Sequence, residues 1–193
     1  MANNLIEAVY LGNYDNTKSL LEAGENPNAL DEDGDSPLAI AVVESYFAIS
    51  QLLLEFKADP NLGQLSPIII AVSNGDLALV KILLEAKANP NLSYEMTTPL
   101  HNATLAGNTE IANLLVKFGA FTNIQDSRGN TPLHYAVYRS NYVIAKILID
   151  AGADPMIKDI VGKTQIDFAG FFGLKYMLKI MIESRNVDKN WGL

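Results

Sequence analysis

Two short motifs recur along this chain of 193 residues at a nearly constant spacing. The first is a hexamer that opens with Ser or Thr and closes with Ala; its starts are 30, 32, 33 and 33 residues apart. Its copies are SPLAIA (36–41), SPIIIA (66–71), TPLHNA (98–103), TPLHYA (131–136) and TQIDFA (164–169). The second motif lies out of phase with the first, and its copies are GENPN (24–28), KADPN (57–61), KANPN (87–91), GAFTN (119–123) and GADPM (152–156). Two motifs with one shared period predict a tandem array, in which each copy buries its apolar face against its neighbours.

The copies resemble ankyrin repeats, whose period is about 33 residues and whose pattern contains T-P-L-H-x-A. TPLHNA and TPLHYA match that pattern in full, whereas the other three hexamers depart from it mainly at the His position. The resemblance implies an all-α solenoid of stacked helix-turn-helix units that carry short β-hairpin fingers. We expect a single domain over 1–193, and the predicted repeats are 3–28, 29–61, 62–91, 92–123, 124–156 and 157–185, followed by a tail at 186–193.

The residues at the repeat boundaries agree with short helices. Ser or Thr at the start of each hexamer is a favoured helix N-cap, and in four of the five copies Pro follows at the first helical position. Second helices such as 77–86, 109–118 and 142–151 have apolar residues at three- and four-residue spacings, which predicts a buried stripe. The first helices are predicted to end near Gly12, Ser45, Gly75, Gly107, Ser140 and Gly173. The left-handed position after the second helix is predicted at Gly24, Lys57, Lys87, Gly119 and Gly152.

Composition excludes several classes of function. The chain has no Cys, which excludes disulfides, thiolate metal sites and a Cys nucleophile, and which favours the cytoplasm. A net charge of −8 argues against binding to nucleic acid or to an anionic membrane surface, and no apolar run is long enough to cross a membrane. The charge is uneven, since residues 1–97 carry 14 acidic and 4 basic residues, and residues 98–193 carry 8 and 10. This asymmetry has two open explanations: drift among solvated positions, or a partner bound in one direction.

No residue pattern supports catalysis or a cofactor. His101 and His134 occupy the same motif position, and without a third ligand we interpret them as braces between loops and not as a metal site. The acidic run at 31–35 lacks the twelve-residue ligand spacing of a calcium loop, so we interpret it as a solvated finger. A nucleophile elbow of the form G-x-S-x-G is absent. We therefore expect neither enzymatic activity nor a bound metal or cofactor.

The resemblance implies a non-enzymatic module that binds another protein through a concave groove of fingers and first helices. We expect a monomer that acts in the cytoplasm, with no nucleic acid and no membrane as partner. Two alternatives stay open: a regulatory or targeting subunit of a separate enzyme, and a secreted bacterial effector that acts in the host cytoplasm. The residues predicted to bind the partner are Glu32, Asp33, Tyr94, Met96, Leu105, Arg128, Tyr138, Arg139 and Phe171.

Overall fold

A computed structural model describes residues 4–187 of the chain, with side chains through residue 184. It divides into two compact halves, an N-terminal half, Met1–Leu92, and a C-terminal half, Ser93–Leu193. All regular elements of the described residues are α-helices, and the β-structure there is one isolated bridge between Tyr94 and Thr97. The all-α repeat fold predicted from the sequence is confirmed.

The N-terminal half contains three helical hairpins. Its helices are α1 (Leu5–Tyr10), α2 (Tyr14–Glu22), α3 (Pro37–Val43), α4 (Phe47–Glu55), α5 (Pro67–Ser73) and α6 (Leu77–Glu85). The first helix of each hairpin packs on its second helix, and successive first helices pack on one another, as do successive second helices. Their contact surfaces form one apolar core, where Leu38, Leu53 and Leu83 are fully buried.

The C-terminal half repeats this arrangement. Its helices are α7 (Pro99–Ala106), α8 (Thr109–Lys117), α9 (Pro132–Tyr138), α10 (Tyr142–Asp150), α11 (Gln165–Phe171) and α12 (Lys175–Val187). Helix α10 packs against α8, α9 and α12, so its Leu148 is fully buried at the centre of this half. The predicted second helices at 77–86, 109–118 and 142–151 are each confirmed to within one residue. Helix α12 ends at Val187, and the rest of the predicted tail, 188–193, lies outside the described residues.

Local capping chemistry explains where the first helices begin. The Ser36 hydroxyl accepts a hydrogen bond from the Ala39 N–H at 3.2 Å, and Thr98 and Thr164 cap their helices in the same way. Ser66 is an exception, because its buried hydroxyl makes no hydrogen bond with any described residue. Its ψ is 113°, against 154° at Ser36. The finger before Ser66 is three residues shorter than the finger before Ser36, and the backbone therefore enters helix α5 from another direction.

Asparagine side chains join successive repeats within each half. Asn28 Oδ1 accepts from the Asp59 N–H at 2.7 Å, and its Nδ2 donates to the Lys57 carbonyl at 3.3 Å. Asn61 makes the same pair of bonds with the backbone of residues 87 and 89, and Asn123 makes it with the backbone of residues 152 and 154. We call these three residues, Asn28, Asn61 and Asn123, the asparagine clips. Each clip satisfies one carbonyl and one N–H group in the turn that follows the next second helix.

The left-handed residues after the second helices lie where the sequence predicts them. Gly24, Gly119 and Gly152 have positive φ, and Lys57 and Lys87 adopt the same conformation with φ of 69° and 70°. A side chain with a Cβ is strained in this region, and glycine is not.

Replacing Lys57 or Lys87 by glycine is therefore expected to raise the free energy of unfolding by up to about 1 kcal/mol each. Urea denaturation of each variant measures the change. The controls are Lys57→Ala and Lys87→Ala, which remove the same long side chain but keep the strained Cβ and are expected not to stabilise. Equal stabilities for the glycine and alanine variants would contradict the assignment of strain.

Candidate functional site

The residues predicted to bind a partner are all exposed. In the N-terminal half, Glu32 and Asp33 stand on the finger between α2 and α3. In the C-terminal half, the side chains of Tyr94 and Tyr138 are 66% and 69% exposed, and that of Phe171 is 84% exposed. The remaining predicted residues, Met96, Leu105, Arg128 and Arg139, are exposed as well. Exposure of so many large apolar side chains in one half marks that surface as a candidate site for contact with another molecule.

A pocket of about 990 Å³ lies in the C-terminal half between the fingers and the first helices. Four of the seven predicted residues of this half line it: Met96, Leu105, Arg128 and Tyr138. The other three of this half do not line it: Tyr94, Arg139 and Phe171. Phe171 instead packs edge-to-face on Phe172, with the ring centroids 5.3 Å apart. The structure therefore brings together part of the predicted cluster around one concavity.

The pocket walls include two fingers that carry the same turn. Asp126 Oδ1 accepts from the N–H groups of Arg128 and Asn130, at 2.8 and 2.9 Å. Asp159 Oδ1 accepts from the N–H groups of Val161 and Lys163, at 3.0 and 2.8 Å. Each aspartate thus closes its own finger by hydrogen bonds to the backbone, as Asp residues do in turns.

The two fingers are also bonded to each other. The Ile160 N–H donates to the Arg128 carbonyl at 3.1 Å. Gln125 Nε2 donates to the Gly129 carbonyl at 2.7 Å and to the Lys158 carbonyl at 2.9 Å. At Gly129 the backbones are so close that an added Cβ would lie 2.8 Å from the Ile160 nitrogen. The fingers are therefore held as one rigid wall of the pocket.

The pocket lining includes an aspartate bonded to a tyrosine. The Tyr135 hydroxyl donates to Asp126 Oδ2 at 2.5 Å. Burial raises the pKa of Asp126, but the hydrogen bonds from Tyr135 and from the backbone outweigh it and hold that pKa below its usual value. Burial, followed by the bond to this carboxylate, raises the pKa of Tyr135. Asp126 is thus an ionised carboxylate and Tyr135 a neutral phenol.

Both motif histidines bond to the backbone at the start of their own helix, and His101 also reaches the next finger as the sequence predicts. His101 Nδ1 accepts from the Thr98 N–H at 3.2 Å, while its Nε2 lies 3.1 Å from the carbonyl of Asn130 in the next finger. His134 Nδ1 accepts from the Thr131 N–H at 2.9 Å. Asp167 replaces the histidine in the last repeat, and its Oδ2 accepts from the Thr164 N–H at 2.9 Å. The position therefore needs an acceptor for the N-cap backbone, which either side chain supplies.

Burial lowers the pKa of both His101 and His134, because a buried imidazolium loses hydration that the nearby backbone carbonyls and carboxylates replace only in part. Below the ordinary histidine pKa of about 6.5, the unfolded chain binds protons that the folded chain does not. The melting temperature is therefore expected to fall as the pH is lowered from about 7.5 to about 5.5.

Calorimetry across this interval measures the effect, and a double variant, His101→Asn with His134→Asn, is expected to flatten the dependence. A melting temperature that stays constant or rises on acidification would contradict it. The Asp126 carboxyl does not titrate in this interval, because its pKa lies below the usual range of Asp.

The acidic finger of the N-terminal half has its own aspartate–tyrosine pair. The Tyr10 hydroxyl donates to Asp31 Oδ2 at 2.9 Å, and Asp31 Oδ1 accepts from the N–H groups of Asp33 and Asp35. The backbone bond from Asp35, followed by that from Tyr10, lowers the pKa of Asp31 below its usual value. Within residues 4–187, no group of three or more His, Asp or Glu side chains is placed to hold a metal ion. No helix in the same range is long and apolar enough to cross a membrane.

Several pocket residues were not predicted from the sequence, among them Asp126, Tyr135, Asp159 and Phe168. Tyr135 and Phe168 each stand just before the Ala that ends the hexamer motif, on the first helix of the repeat. The two aspartates stand on the fingers, five residues before the N-cap Thr. An alignment of the repeats with one another contains this signal, because each aspartate precedes its aromatic residue by nine positions.

Comparison with known proteins gives one consistent result. The sequence matches the family described as ankyrin repeats (3 copies) over residues 5–94 and 87–159. A curated relative, the ankyrin repeat and LEM domain-containing protein 1 homolog of Caenorhabditis elegans, is 50% identical over 46 residues. That match spans 24% of this chain and 6% of the relative, so the chain corresponds to only a small part of the relative's length.

Solved structures resemble nearly the whole chain. The ankyrin repeat protein EF0377 has a TM-score of 0.80 at 28% identity, over 94% of this chain and 98% of its own. An ankyrin repeat domain from Acinetobacter baumannii AYE has a TM-score of 0.85 at 26% identity, over 93% and 96%. The ankyrin repeat domain of Bcl-3, a member of the IκB protein family, has a TM-score of 0.79 at 25% identity, over 92% and 80%.

Proposed function

The chain belongs to the ankyrin-repeat family, and from this premise we propose that it is a non-enzymatic module that binds a polypeptide partner through its fingers and first helices. Ankyrin repeats in general mediate binding between proteins. One observation carries the proposal for this chain: exposed Met96, Leu105 and Tyr138 surround the pocket of the C-terminal half. Large apolar and aromatic side chains around a concave centre are the usual anchors of protein interfaces.

The residues that we propose for partner binding are those predicted from the sequence, and they form one surface in each half. Glu32 and Asp33 form an acidic finger tip in the N-terminal half, which favours a basic stretch of the partner. Tyr94, Met96, Leu105, Arg128, Tyr138, Arg139 and Phe171 supply the surface in the C-terminal half. We further propose that the chain acts as a monomer in the cytoplasm, with no cofactor, and binds neither nucleic acid nor membranes, in keeping with its net charge of −8.

Two alternatives concern the setting of the same binding activity. A regulatory or targeting subunit would use this surface to hold a separate enzyme. A secreted bacterial effector would use it to engage a host protein; the excess of Lys over Arg, 11 to 3, motivates this because AT-rich genomes favour Lys codons. Identification of the bound polypeptide separates these alternatives.

Tyr138→Ala and Arg139→Ala are each expected to weaken partner binding by at least about 1 kcal/mol, because exposed Tyr and Arg anchors dominate interface energies. The partner is first isolated by cross-linking to the intact chain, and calorimetric titration then measures each affinity. Thermal unfolding is expected to change little, since both side chains are exposed.

The matched controls are Lys117→Ala and Lys146→Ala, which lie on second helices. Lys146 pairs only with Asp150 on the exposed surface among the described residues, and such a pair contributes little to stability. If the lysine variants weaken binding and the variants of Tyr138 and Arg139 do not, the proposed surface is wrong.

A further inference from the structure

Two fingers of the C-terminal half have the same design and differ at one aromatic residue. Tyr135 follows Asp126 by nine positions, and Phe168 follows Asp159 by nine positions. Both rings occupy the same place in their repeats, since each packs edge-to-face on the preceding motif histidine. The ring centroids are 6.1 Å apart for Tyr135 with His101, and 6.3 Å apart for Phe168 with His134.

The difference leaves one carboxylate oxygen without a hydrogen bond. In the first pair, the Tyr135 hydroxyl occupies Asp126 Oδ2. In the second pair, Phe168 has no hydroxyl, and Asp159 Oδ2 has no hydrogen-bond partner among residues 4–187. Asp31 stands at the same finger position in the N-terminal half, and its Oδ2 accepts a hydrogen bond from the Tyr10 hydroxyl. The turn itself does not need the second oxygen, because Oδ1 alone accepts both backbone N–H groups.

This oxygen belongs to a half-buried side chain that lines the 990 Å³ pocket. Phe168 and the exposed Tyr138 line the same pocket, and Met96, Leu105 and Ile160 add apolar surface. Glu95 and Asp126 bring two more carboxylates to the lining, against one guanidinium, that of Arg128. Arg128 makes no ion pair with a described carboxylate.

His134 also contributes to the lining of the pocket, and its side chain is 5% exposed. Its Nδ1 accepts from the Thr131 N–H, and its Nε2 is buried away from the open space of the pocket. The His134 ring is therefore part of the pocket wall and not a contact for a bound group.

We propose that this pocket receives an arginine side chain of the bound polypeptide, an inference that rests on the proposed function. The guanidinium donates to Asp159 Oδ2 and stacks against Tyr138 and Phe168, while the methylene groups cover Met96, Leu105 and Ile160. Arginine fits this lining better than lysine, because a planar guanidinium both pairs with carboxylates and stacks on aromatic rings. The excess of carboxylates supplies the complementary charge.

The test uses the full chain and a defined probe, N-acetyl-arginine-methylamide, titrated to about 20 mM while amide chemical shifts are recorded, since single-residue ligands bind in the millimolar range. We expect shifts at residues 126–130 and 159–163. The neutral analogue N-acetyl-citrulline-methylamide has nearly the same shape and is expected to bind at least about threefold more weakly. Equal shifts with citrulline, or no shift in these ranges, would overturn the proposal. The corresponding lysine analogue of the probe is titrated in the same way. If it binds more tightly than the arginine probe, the choice of arginine is overturned.

Two variants test the role of the free oxygen. Asp159→Asn keeps Oδ1 for the turn and removes the charge. Phe168→Tyr places a hydroxyl where Tyr135 has one, which occupies Oδ2 without changing the charge. Each is expected to weaken arginine binding at least about threefold. Asp31→Asn, the same change in the N-terminal half, serves as control and is expected to leave it unchanged. Unaltered binding in Phe168→Tyr would contradict the assignment of Asp159 Oδ2.

The outcomes separate this inference from the proposed function. If the arginine probe does not bind while Tyr138→Ala weakens binding of the polypeptide partner, the arginine site is wrong and the interaction surface stands. If the probe binds at 159–163 and no surface variant affects partner binding, the arginine site stands and the proposed surface is wrong.

Discussion

Replacing Gly129 by alanine is expected to lower the free energy of unfolding by about 2–4 kcal/mol, which combines left-handed strain with overpacking. Gly129 has a φ of 74°, and an added Cβ would lie 2.8 Å from the Ile160 nitrogen and 3.0 Å from two backbone atoms of Asp159. Backbone atoms cannot move aside as a side chain does, so the two fingers must separate. The bond from the Ile160 N–H to the Arg128 carbonyl is then lost, and the pocket wall with it.

Gly162→Ala provides a matched control for this prediction. Gly162 also has a positive φ, of 78°, but an added Cβ there meets nothing within 4 Å. The control therefore carries the left-handed strain alone and is expected to cost about 1 kcal/mol. Denaturant titration of both variants measures the difference. Equal losses would show that the close approach of the fingers contributes nothing.

Replacing Leu148 by alanine is expected to lower the free energy of unfolding by about 2–5 kcal/mol. Leu148 is fully buried on α10, which packs against three other helices of the C-terminal half. Neighbouring helices on several sides restrict any collapse into the space, so a cavity remains and adds to the lost transfer energy.

Val143→Ala on the same helix is the matched control, since its side chain is 59% exposed. Its expected effect is within about 0.5 kcal/mol. Urea titrations measure the free energy of unfolding of both variants. The transitions are monitored by circular dichroism and by resolved amide NMR signals of the C-terminal half. A loss below about 1 kcal/mol for Leu148→Ala would contradict the tight packing around α10.

The fold was predictable because its determinants are local and repeated. A Thr or Ser cap, a following Pro and a left-handed residue at fixed spacing define each hairpin, and the structure has the second helices within one residue of the predicted ranges. Ser66 shows the limit of such reasoning. The residue type is right for a cap, but its ψ differs from that of Ser36 and its hydroxyl makes no cap hydrogen bond. The residue type alone does not determine the backbone ψ at the cap position.

The candidate site was predictable only in part. Exposure of Tyr138 and Leu105 follows from their position near the end of a first helix, which the motif specifies. The pocket depends on how two fingers approach each other, and hence on Gly129 and the backbone of residues 159–160. The unoccupied oxygen of Asp159 depends on Phe168, a residue whose type looks ordinary until it is compared with Tyr135. Only a comparison of the same position in successive repeats shows that a hydroxyl is missing beside Asp159.

The asparagine clips have a consequence for how such an array lengthens during evolution. Each clip residue supplies both hydrogen-bonding groups from its own repeat, and its partners in the next repeat are main-chain atoms. The adjoining residue is Lys57 or Lys87 in one half and Gly152 in the other, and the bonds are the same. A duplicated copy inserted between two others thus forms the clip hydrogen bonds on either side, whatever side chain adjoins them. The clips therefore place no demand on the sequence of the neighbouring copy when a duplication lengthens the array.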